Sequence, residues 1–150
     1  VSVIRGAKRL EVRQRANWSC EYCLLPEEPA SAATSFQADH IWPESAAHAS
    51  SSPVEDVDDI ENLAWGCPLC NRYKSKSVDG VDPETGNPVR LFHPRQDRWE
   101  DHFVAVPAGH IEGIDPIGRA TVQVLRLNLP ERVKSRALLF SWSRWPSITF

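Results

Sequence analysis

Four cysteines arrive as two close pairs, Cys20-Glu21-Tyr22-Cys23 and Cys67-Pro68-Leu69-Cys70, and the 150 residues contain no others. A two-residue spacer lets each turn fold back so that both sulfurs face one ion, and two such turns can set four thiolates tetrahedrally around a zinc ion. The chain near residue 20 and the chain near residue 70 are therefore expected to meet, with everything between them closed into one large loop. Two disulfides would be the secreted alternative, but the N-terminal stretch VSVIRGAKRLEVRQR lacks the apolar run of a signal peptide. Cys20, Cys23, Cys67 and Cys70 would fill the tetrahedron and leave no position for water, so the expected Zn2+ is a structural staple.

Charge and hydropathy narrow the class further. No stretch approaches the ~18 to 20 apolar residues of a membrane helix, which removes a membrane partner and leaves a cytoplasmic location as the expectation. With 17 Lys+Arg against 20 Asp+Glu the formal charge is -3, too acidic for a protein that coats nucleic acid by bulk positive charge. The distribution is more informative. Arg5, Lys8, Arg9, Arg13 and Arg15 accompany Ile4, Ala7, Leu10 and Val12 at helical spacing, so a basic amphipathic helix is predicted there. These cations serve either phosphate contacts or a solvated face. From Glu27 to Glu61 there is no Lys or Arg, and Glu55, Asp56, Asp58, Asp59 and Glu61 crowd the segment before the second cysteine pair.

Between the pairs stand Asp39 and His40, then Asn62; Asn71 follows Cys70 directly. Neighbouring residues of a strand face opposite sides, so Asp39 can hold a cation while His40 reaches elsewhere. Asn71, near the start of a helix expected after the second pair, can offer its amide oxygen to the same cation. Hard oxygen ligands of this kind suit Mg2+ or Mn2+, which retain waters and accept phosphate as a further ligand.

CEYC, ADHIWP and ENLAWGCPLCNRYKSK, in that order, resemble the HNH family of endonucleases, whose ββα-metal core here carries an added four-cysteine zinc site. The likeness covers about residues 15–76. It implies that His40 is the general base that activates water for attack on phosphorus, a task for which an imidazole is largely neutral at pH 7. It implies that Asp39 and Asn71 hold one Mg2+ or Mn2+ against the scissile phosphate, and that Asn62 bonds the connecting loop and so orients His40. Arg72, Lys74 and Lys76, directly after Asn71, are the expected nucleic-acid contacts. The sequence departs from the family where Asn71 stands in place of the last histidine, and where the acidic loop replaces the Gly-Gly often found there. An acidic loop on the substrate side would repel a phosphate backbone.

Outside the core, Trp18, Trp42 and Trp65 are predicted to pack a small core, and His48, His93, His102 and His110 to be structural or solvent-facing. DPETGNP at 82–88 predicts a turn or hairpin, PRQDRWEDH at 94–102 a helix, and HFVAVPAGHIEGI two short strands joined by a turn. IGRATVQVLRLN and PERVKSRALLFSWSRW predict two helices, the second presenting Val133, Ala137, Leu138 and Phe140 on one face. Arg95, Arg98 and Arg119 either anchor nucleic acid or bridge this tail to the core.

The resulting expectation is a single α+β domain over 1–150: a basic N-terminal helix, a zinc-stapled ββα-metal core at about 15–76, and a C-terminal hairpin and helical extension at about 77–150. The expected activity is metal-dependent hydrolysis of DNA phosphodiester bonds. The rival from another class is a non-catalytic zinc-dependent module that binds nucleic acid or a protein on the same fold.

Overall fold

A computed structural model describes residues 3–27, 36–44 and 53–147. His48, Glu28 and much of the Ala/Ser-rich loop lie outside the described residues.

Helix α1 (Gly6–Arg15) packs across a two-stranded antiparallel sheet of β1 (Gln37–His40) and β2 (Leu63–Gly66). The register pairs Gln37 with Gly66, Ala38 with Trp65, Asp39 with Ala64 and His40 with Leu63. All four residues of β2 are buried. The basic residues of α1 fit neither sequence-level alternative, because most are bonded to the core. Arg13 forms a two-pronged pair with Glu27 at 3.0 and 2.9 Å, Arg15 donates to the carbonyls of Ile60 and Leu63, and Arg9 donates to that of Phe36.

Immediately after β2 comes α2 (Pro68–Lys74). The Sγ of Cys67 caps it by accepting from the Cys70 N–H at 3.4 Å, and Pro68 occupies the first helical turn, where its missing N–H costs nothing. The second cysteine turn is thus also the start of the helix that carries Asn71.

Three further pieces complete the extension. Strands β3 (Asp79–Val81) and β4 (Pro88–Arg90) form the hairpin predicted around DPETGNP, and β5 (Phe103–Ala105) and β6 (Ile111–Gly113) form the second. Helices α3 (Pro116–Val124) and α4 (Pro130–Ser141) follow as expected. Asp115 caps α3 through Gly118 N–H and also receives Nδ1 of His102 at 2.7 Å, a structural role for that histidine. No helix among the described residues is long and apolar enough to cross a membrane.

Three expectations need correction. Residues 94–102 form turns and a single 3-10 turn (Trp99–Asp101) instead of a helix, because their polar groups are committed elsewhere. Asp97 takes both Arg90 nitrogens and the His93 N–H, and the Trp99 indole reaches back to the Tyr22 carbonyl. On α4 the inward face carries Arg132 and Arg136, one helical turn apart, so Leu138 and Phe140 fall outside at 53% and 41% exposure. Trp18 is 42% exposed rather than core, because left-handed backbone at Asn17 and Trp18 turns the chain outward. There the Arg13 guanidinium covers its ring at 3.9 Å. Trp65 is fully buried as predicted, between Phe36 and the Arg9 guanidinium, and truncating it to alanine would cost about 3–5 kcal/mol.

Candidate metal and nuclease centre

The four cysteine sulfurs lie within 4.8 Å of one another, with Cys23 and Cys67 Sγ 3.7 Å apart, and no disulfide joins them. All four cysteines are buried. Cys20 and Leu24 close the first turn through Leu24 N–H to Cys20 O and Cys20 N–H to Leu25 O, with Leu24 in the left-handed region. Burial pushes the Cys20 and Cys70 thiols well up, while hydrogen bonds from the neighbouring thiols pull Cys23 well down. Four buried sulfurs this close together suit a soft divalent cation, which binds them as thiolates. The donor set is compatible with a zinc site.

On the other side of α2, a pocket of about 350 Å³ is lined by Gln37, Asp39, Pro68, Asn71 and Arg72. Asp39 comes from β1 and Asn71 from the middle of α2, so the strand-to-helix corner brings together two residues 32 positions apart. Asp39 Oδ2 and Asn71 Oδ1 are both buried without a hydrogen-bond partner. Burial raises the Asp39 carboxyl above its usual range, an effect the Lys74 ammonium only partly offsets. Two unpartnered oxygens on residues that line one pocket, one of them on a desolvated acid, are the kind of donor a hard divalent cation takes.

Gly66 decides how Asn71 presents its oxygen, and the sequence reading passed over it. The Asn71 amide donates Nδ2 to Gly66 O at 3.1 Å, which fixes the amide plane, and a Cβ on Gly66 would overlap Oδ1. A glycine ending a buried strand immediately before a cysteine pair was the available signal.

His40 is nearly buried, and its Nε2 lies 2.7 Å from Oδ1 of Asp58, which is 39% exposed. An ionised carboxylate has no proton to give, so Nε2 is the donor in this pair. Asp58 comes from the acidic segment that charge alone marked as a source of repulsion, and nothing in its sequence position points to His40. Asn62 joins the loops on either side: Oδ1 accepts from Trp42 N–H at 2.8 Å, and Nδ2 donates to Trp42 O and to Val57 O. Asp59 caps the 3-10 turn that delivers Asn62.

Of the three predicted phosphate contacts, Arg72 and Lys76 are exposed and Arg72 borders the Asp39 and Asn71 pocket. Lys74 is a correction. It is 1% exposed and donates Nζ to the carbonyls of His40 and Ile41 at 3.3 and 3.0 Å, so it braces the end of β1 and cannot reach a phosphate. Arg95 pairs with Glu21 and Arg119 with Asp82, so both bond within the protein.

A strand pair running into a helix, with a thiol cluster at the start of that helix, is compatible with a zinc-stapled ββα core. Residues 20–77 match the family model for HNH endonuclease. No curated protein and no solved structure matches the chain.

Proposed function

We propose that the protein is a metal-dependent endonuclease that hydrolyses DNA phosphodiester bonds. The observation that carries this reading is the pair of buried, unpartnered oxygens, Asp39 Oδ2 and Asn71 Oδ1, on two residues that line one pocket within the segment matching the HNH model. Asp39 and Asn71 would hold one Mg2+ or Mn2+, and four cysteines would hold Zn2+ as a staple. When bound, the hard cation supplies positive charge beside the scissile phosphate and the departing oxygen.

The chain's own residues do the rest. His40 takes a proton from the attacking water at Nδ1, because Asp58 occupies Nε2 and fixes the tautomer. Asn62 ties the Trp42 and Val57 backbones together, so the loop carrying Asp58 keeps its distance from the strand carrying His40. Lys74 holds the His40 and Ile41 carbonyls and so sets the end of β1. Arg72 and Lys76 meet the phosphates on either side of the bond being cut. The whole of 1–150 acts as one cytoplasmic unit, with the extension buttressing the cysteine cluster.

The test is cleavage of supercoiled plasmid, linear duplex, single-stranded DNA and RNA with Mg2+ or Mn2+, beside His40→Ala and Asp39→Asn. Metal-dependent DNA cleavage lost in both variants is the expected result. DNA binding without cleavage by the wild-type protein would overturn it in favour of a binding module, and cleavage confined to RNA would overturn the substrate.

A further inference from the structure

Arg132 lies on α4, 62 residues beyond Cys70, and is 6% exposed. Its Nη2 is 2.9 Å from Cys70 Sγ and 3.9 Å from Cys67 Sγ. Its Nη1 donates to Leu125 O at 2.7 Å and to Arg126 O at 3.3 Å, closing the end of α3. The two ends of one guanidinium thus do different things, one capping a helix and the other touching sulfur.

A zinc ion held by four thiolates leaves a centre with two net negative charges, and burying such a centre is costly without a counter-charge and hydrogen bonds to the sulfurs. The neighbouring buried cation, Arg136, spends its Nε and Nη2 on the carbonyls of Gly109 and Leu127, whereas the Arg132 Nη2 lies directly on sulfur. Arg132 can do both. Its fork geometry lets it keep the cap on α3 while offering a charged N–H to Cys70.

We propose that Arg132 is an outer partner of the cysteine-bound zinc, contributed by the C-terminal extension, and that it slows loss of the metal by neutralising part of the thiolate charge; this rests on the zinc reading above. Among the described residues other tethers also hold the extension on the first cysteine turn: Trp99 Nε1 to Tyr22 O, Trp145 Nε1 to Cys23 O, Ser147 Oγ to Leu24 O, and the Arg95 to Glu21 pair. Removing Arg132 therefore leaves the extension attached.

Zinc-loaded full-length protein is mixed with excess chromogenic chelator, and zinc transfer is timed for wild type, Arg132→Lys, Arg132→Gln and Arg132→Met. Asn128→Ala serves as the stability control, because Asn128 joins Ile111 to the end of α3 without touching sulfur. The expected result is release about 10-fold faster or more in Arg132→Gln and Arg132→Met, with Arg132→Lys between them and wild type. In cobalt-substituted protein the sulfur-to-metal charge-transfer band moves to lower energy in the same order, while Asn128→Ala matches wild type in both measurements. Release and band position unchanged in all Arg132 variants, with only the melting temperature lowered, would reduce Arg132 to a helix cap and overturn the proposal. If Arg132→Met fails to fold, Arg132→Gln decides. Wild-type protein that binds no zinc overturns the zinc reading itself, a result distinct from normal zinc with unchanged release.

Discussion

The imidazole of His40 and the carboxylate of Asp58 meet at 2.7 Å, joining the last residue of β1 to a loop 18 residues further along the chain. Such a partner fixes both the ring orientation and the tautomer of the histidine proposed as the base. Asp58→Ala is expected to lower kcat about 10- to 100-fold with little change in KM, as for other residues that orient a functional side chain. Asp58→Glu should recover part of the loss. Steady-state cleavage kinetics decide the matter, and a faster Asp58→Ala variant would show that the carboxylate obstructs the site.

Gly66 leaves room for the Asn71 amide, and a methyl group there displaces its unpartnered Oδ1. Gly66→Ala should raise the Mg2+ or Mn2+ concentration needed for half-maximal cleavage about 10-fold or more, while zinc content stays at the wild-type level. Titration of cleavage against divalent cation, with zinc measured by elemental analysis, separates the two sites. An unchanged midpoint would mean that Asn71 is not a ligand.

Lys74 and Arg72 sit two residues apart on α2 and should fail in different ways. Lys74→Met strands two buried carbonyls and should cost about 1–3 kcal/mol of stability. Arg72→Ala should leave stability unchanged, weaken DNA binding and flatten its dependence on salt by roughly one counterion. Denaturant unfolding and binding measured at several salt concentrations test both; equal salt slopes for wild type and Arg72→Ala would remove Arg72 from the interface.

Asp82 is buried in the turn after β3, where two bonds from Arg119 at 2.8 and 2.9 Å hold its carboxyl far below the ordinary carboxylate range. An acid whose folded value is depressed adds stability that is complete above the unfolded value and is lost as pH falls toward the folded one. Arg119→Gln should therefore lower the melting temperature at pH 7, and the gap to wild type should shrink below about pH 4. Thermal unfolding at pH 7 and pH 3 tests this, and a gap of constant size would assign the effect to packing.

The cysteine pairs, Asp39, His40, Asn62 and Asn71 were legible because each lies in a short pattern whose chemistry depends on local spacing, and residues 20–77 match the HNH endonuclease model. The hairpins and the last two helices were legible for the same reason, from turn residues and apolar periodicity. Asp58, Arg132 and the burial of Lys74 were not. Each depends on a contact between distant segments, and in sequence a charged residue that turns inward looks the same as one that faces water. The helix expected at 94–102 failed likewise, since Asp97 and Trp99 are drawn off by Arg90 and by the Tyr22 carbonyl. Spacing alone determined which ligand types are present and where two turns must meet. Only the tertiary structure decided which charges are neutralised inside, because burial and long-range pairing are properties of the packed chain and leave no periodic trace along it.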